Sequence, residues 1–104
     1  MGVSPDKINE LNRILERLKQ EHLKLKDVYL FGSYLKGGNY GDIDVALVSD
    51  DFTGIRFYDI EKLALILKRY PPEFDFHLFT TESFYDTDNF FAQEIQSSGQ
   101  KFPF

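Results

Sequence analysis

Two carboxylates two residues apart, Asp42 and Asp44, follow closely on a Gly-Ser pair at Gly32 and Ser33, and a third carboxylate, Asp75, stands inside a later apolar run. Apolar Val28-Tyr29-Leu30-Phe31 reads as a buried strand running into Gly32, where the absence of a Cβ lets a bulky anion approach the backbone. Ser33 adds a hydroxyl and an N–H. On the next strand, period-2 alternation places Asp42, Asp44 and Ala46 on one face and Ile43, Val45 and Leu47 on the other. The two carboxylates then start roughly 7 Å apart along the strand. From there they can converge on cations about 3.5 to 4 Å apart, the spacing of a two-metal site. A phosphate grip followed by a metal grip is the equipment of phosphoryl or nucleotidyl transfer.

The elements that must hold these groups are legible from pattern. Ser4 and Pro5 open a helix that carries Ile8, Leu11, Leu15 and Leu18 on one stripe. After Lys26-Asp27 come the two strands, and Ser49 to Gly54 has the composition of a loop. A second helix repeats Ile60, Leu63, Ala64 and Leu67, and Pro71-Pro72 stops it. Phe74 to Phe79 forms a third strand bearing Asp75, and Thr80 to Asp86 reads as a polar connection. Thr87 or Asp88 then caps a last helix containing Phe90, Phe91 and Ile95, which ends at Gly99. The order α, β, β, α, β, α predicts an α+β domain, a small mixed β-sheet with helices packed on one face. Asp42, Asp44 and Asp75 would occupy the other face as an open cleft. Their mutual repulsion is offset by a divalent cation, and hard oxygen ligands beside a phosphate point to Mg²⁺, with Mn²⁺ as a substitute.

Composition narrows the function further. A chain of 104 residues makes one domain, here 1–104, and buries roughly two-thirds of its unfolded surface, with no room for a separate substrate domain. Packing leans on rings, since there are 11 Phe and 6 Tyr. The net charge of -5 opposes direct binding to long nucleic acid, which needs clustered Lys and Arg. Absence of cysteine excludes disulfides and thiolate zinc sites and fits a cytoplasmic location. No signal peptide or membrane span is evident.

The residues Phe31-Gly32-Ser33, Gly37 and Asp42-Ile43-Asp44-Val45, with Phe74-Asp75-Phe76-His77-Leu78-Phe79 and a final helix ending at Gly99, resemble the signature of the minimal nucleotidyltransferases of the DNA polymerase β-like superfamily. The resemblance spans roughly Val28 to Gly99, and Lys36 stands where that family carries an arginine. It implies a polymerase β-like nucleotidyltransferase fold and transfer of a nucleoside monophosphate, AMP from ATP as the first candidate or from another NTP, to a hydroxyl acceptor. Asp42, Asp44 and Asp75 would be the catalytic and metal-holding carboxylates, with Gly32, Ser33 and Lys36 on the nucleotide. It also implies a toxin-antitoxin role, in which such a protein silences a helical HEPN-domain toxin by AMPylation of its tyrosine. The alternative is a catalytically inactive nucleotidyltransferase-like antitoxin, a binding module that neutralises a partner by contact. An antibiotic-modifying adenylyltransferase would bring a further helical domain, which this length does not accommodate.

Other residues carry weaker signals. His77 shares Asp75's face and is either a half-buried structural histidine or a contact of the site. His22 belongs to the surface near the end of the first helix. Asp50 and Asp51 follow the far end of their strand and read as a solvated loop. Tyr34 and Tyr40 could stack on a base. The apolar end Phe102-Pro103-Phe104 either packs back on the domain or meets a partner.

Overall fold

The computed structural model describes residues 5–32 and 43–104. Ser33, Lys36 and Asp42, three of the expected site residues, lie outside them, as do Tyr34, Gly37 and Tyr40. The described chain runs α1 (Pro5–Gln20), β1 (Leu25–Phe31), β2 (Ile43–Ser49), α2 (Arg56–Leu67), β3 (Phe74–Phe79), α3 (Thr81–Phe84), α4 (Phe90–Ser98) and β4 (Gln100–Lys101). The strands form one mixed sheet in the order β3-β2-β1-β4. β1 pairs antiparallel with β2 and β4, whereas β2 and β3 are parallel, as their connection through a helix requires.

The principal core lies on one face of the sheet. Leu11, Ile14, Leu15 and Leu18 line a single side of α1 and are all buried. They meet Val28 and Leu30 of β1, Ile43, Val45 and Leu47 of β2, and Phe74 and Phe76 of β3, with Leu63 from α2. Each such side chain stabilises the fold by about 2 kcal/mol through the apolar area it loses to water. α2 ends in a left-handed residue, Lys68 at φ 66°, before the prolines can clash with its last turn. Of the apolar chain end, Phe102 packs back into this core and donates its N–H to the Val28 carbonyl at 2.8 Å, whereas Pro103 and Phe104 are exposed.

The opposite face is also partly covered. Phe84 of α3 and Ala92 and Ile95 of α4 pack with Phe31, Ala46 and Val48 in a second cluster. Helices therefore stand on both faces, α1 and α2 forming the larger layer, and among the described residues α3 and α4 cover the second face over Ala46 and Val48. The cause is in the strands: Ala46 and Val48 alternate with the principal core positions and would otherwise expose apolar surface. The polar connection after β3 contains the one-turn helix α3, capped by Thr80 Oγ1 accepting from Ser83 N at 3.0 Å. The cap of α4 is Asn89, whose Oδ1 accepts from Ala92 N at 3.1 Å, not Thr87 or Asp88.

Two buried carboxylates serve the fold. Asp59 accepts from Thr53 N and Oγ1 and from Gly54 N at 2.8, 3.0 and 2.9 Å, tying the loop before α2 to its first turn. Asp27 accepts from the Tyr85 hydroxyl and lies 3.3 Å from Lys101 Nζ, joining β1 to the segment after α3 and to β4. No helix among the described residues is long and apolar enough to cross a membrane.

Candidate active site

Three side chains converge on the second face near the starts of β2 and β3. Asp44 is on β2 and Asp75 on β3, directly opposite one another in the parallel register. His77, two residues beyond Asp75 and on the same face, is the register partner of Ala46. Its Nε2 lies 3.2 Å from Asp44 Oδ1 and 3.4 Å from Asp75 Oδ2. All three are half-buried, reachable from solvent but set on rigid strands. The rings of Phe31 and Phe91 stand 5.0 and 5.7 Å from the imidazole, both edge-on, and hold it against the carboxylates.

Gly32 closes the site from β1. Phe31 is the register partner of Asp44, so the next residue passes beside the Asp44 carboxylate. A Cβ added at Gly32 would overlap Asp44 Oδ2, and the residue has φ +90°, a conformation that side chains disfavour. Glycine is thus needed here to make room for a carboxylate, a reason independent of any approaching anion.

Sequence reading placed Asp44 and Asp75 on one face, and they meet. Asp50 and Asp51 belong to the far end of β2, where Asp51 Oδ2 accepts from Lys24 N at 2.9 Å. His22 is an exposed residue just past α1 at φ 68°. The placement of His77 between both carboxylates is the feature that alternation alone understated: it gave the shared face but not the diagonal contact to Asp44 on the neighbouring strand.

The donor set suits a divalent cation. One ligand atom from each of Asp44, Asp75 and His77 lies within 4.8 Å of the others, and two of the three are hard carboxylate oxygens.

The chain matches the nucleotidyltransferase domain model over residues 11–101. It belongs to the nucleotidyltransferase domain family. Among solved structures it is similar to a "putative nucleotidyltransferase", at 26% identity and a TM-score of 0.61, covering 90% of this chain and 98% of that one. It is also similar to a chain of a toxin-antitoxin complex with AMP-PNP, at 28% identity and a TM-score of 0.52, covering 86% and 69% of the two chains. A mutant of the toxin-antitoxin MntA-HpeT gives 25% identity and a TM-score of 0.50 over 86% and 69%. No curated protein matches the chain.

Proposed function

We propose that this protein is a Mg²⁺- or Mn²⁺-dependent nucleotidyltransferase that moves a nucleoside monophosphate, AMP from ATP, onto a hydroxyl of a protein partner. The observation that carries the reading is the pairing of Asp44 and Asp75 at one register position of adjacent parallel strands, on a nucleotidyltransferase domain. The two carboxylates, joined by Asp42, would hold the cation, which supplies charge neutralisation of the triphosphate when bound. Gly32 and Ser33 would bind the terminal phosphates, and Lys36 would add a point charge to them.

In the reaction the acceptor oxygen bonds to the α-phosphorus while the bond from that phosphorus to the bridging oxygen of the β-phosphate breaks, and pyrophosphate leaves. The hydroxyl proton passes to Asp75, the more exposed of the two described carboxylates at 44% side-chain accessibility against 30% for Asp44.

A chain similar to this one occurs in a toxin-antitoxin complex with AMP-PNP, which supports a toxin as partner and ATP as donor; the HEPN type of that toxin is what the family resemblance implies. The test is incubation of the full chain with labelled ATP, Mg²⁺ or Mn²⁺ and a helical HEPN-type toxin. Label and one added AMP mass on a partner tyrosine are expected. An unmodified partner under both metals, silenced all the same, would replace the enzyme by a binding module.

A further inference from the structure

We infer that His77 is itself a ligand in this site and sets its choice of cation, favouring Mn²⁺ over Mg²⁺. The inference rests on reading Asp44 and Asp75 as cation ligands and adds to it a nitrogen donor.

The spacing is that of ligands around one ion. Neighbouring corners of an octahedron with metal-ligand bonds of 2.0 to 2.2 Å stand about 3 Å apart. Nε2 lies 3.2 Å from an oxygen of Asp44 and 3.4 Å from one of Asp75, close enough to both for the three atoms to share one ion. Its orientation is imposed rather than incidental. Phe31 and Phe91 contact the ring from β1 and α4, and the small Ala46 stands across from it on β2.

A histidine that only oriented Asp44 would need one carboxylate in range, whereas Nε2 approaches two. A cation among the three atoms satisfies all of them at once. The donor type then bears on selectivity: Mg²⁺ sheds water reluctantly and keeps to oxygen ligands, whereas a nitrogen donor moves a carboxylate site toward the transition metals, of which Mn²⁺ is the one most at home among carboxylates.

The experiment uses the full chain and Mn²⁺ alone, without nucleotide, read by pulsed electron paramagnetic resonance and by calorimetric titration against Mg²⁺. Nitrogen modulation of the bound Mn²⁺ signal is expected in the wild type and its loss in His77→Gln, which offers an amide oxygen in place of the ring nitrogen. The preference for Mn²⁺ over Mg²⁺ should fall roughly tenfold in that variant. Mn²⁺ that binds through Asp44 and Asp75, lost in Asp44→Asn and Asp75→Asn, yet shows no nitrogen modulation would overturn the inference and leave the carboxylate site standing. Equal weakening of both ions by His77→Gln would likewise make His77 a positioning residue only. Failure of Mn²⁺ to bind, or binding untouched by both Asn changes, would remove the carboxylate site and the inference with it. Should His77→Gln not fold, the wild-type spectrum decides by itself.

Discussion

Gly32 and Asp44 compete for one volume: the position a Cβ would take on Gly32 is occupied by the Asp44 carboxylate. Gly32→Ala must therefore turn Asp44 aside and also place a side chain at φ +90°. The backbone term should cost about 1 to 2 kcal/mol in urea unfolding. Displacement of the carboxylate should weaken Mn²⁺ binding roughly tenfold or more, measured by calorimetry. Unchanged Mn²⁺ affinity would show that Asp44 does not hold the cation.

In the reading that Asp44 and Asp75 hold the cation, stability should depend on metal. Asp44→Asn with Asp75→Asn removes two neighbouring negative charges along with their shared contact to His77. Since all three groups are partly solvated, the metal-free variant should remain within about 1 kcal/mol of wild type. Mn²⁺ at a hundred times its dissociation constant should raise wild-type stability by about 2.7 kcal/mol and the double variant by nothing. Equal stabilisation of the two proteins in urea titrations would place the cation elsewhere.

Asp59 offers a contrast, a buried carboxylate with a purely structural task. Asp59→Ala takes the acceptor away from the N–H groups of Thr53 and Gly54 and from the Thr53 hydroxyl, donors on exposed residues that water can partly serve. A loss of about 1 to 2 kcal/mol is expected, with Asp59→Asn milder because one acceptor oxygen survives. Mn²⁺ affinity of the folded protein should be the same as wild type. A large change in that affinity would mean that the loop before α2 reaches the site.

Much of this arrangement was legible because alternation in strands is a strict geometric rule. Asp44 on β2 and Asp75 on β3 could be assigned to a face from their apolar neighbours alone, and β3 was read with its observed bounds. Longer-range relations left no local trace. The overlap between Gly32 and Asp44 depends on how β1 passes β2, and the Asp27 contacts join residues far apart in the chain. α3 has four residues, too few to display a helical period, so the second core under Phe84 was invisible as a pattern. The α4 cap was ambiguous for another reason: Thr87, Asp88 and Asn89 are all good capping residues in a row, and only the geometry selects Asn89. β4, with two residues, has no alternation to read.

Asp75 separates the enzyme from the binding module. Transfer requires its carboxylate to help hold the cation and to receive the hydroxyl proton, whereas neutralisation by contact requires only the outer surface. Asp75→Asn keeps the shape of the side chain and removes both capacities. In the enzyme reading the variant should still bind the helical partner but leave it unmodified and active, with transfer reduced at least a hundredfold, on the order expected for removing a general base. Mass spectrometry of the partner and an RNase assay of its activity measure the two effects separately. A variant that binds and silences the partner as fully as wild type, with no added mass on the partner in either case, would establish neutralisation by contact; loss of silencing with binding retained, together with one nucleotide mass added to the partner by wild type, would establish transfer.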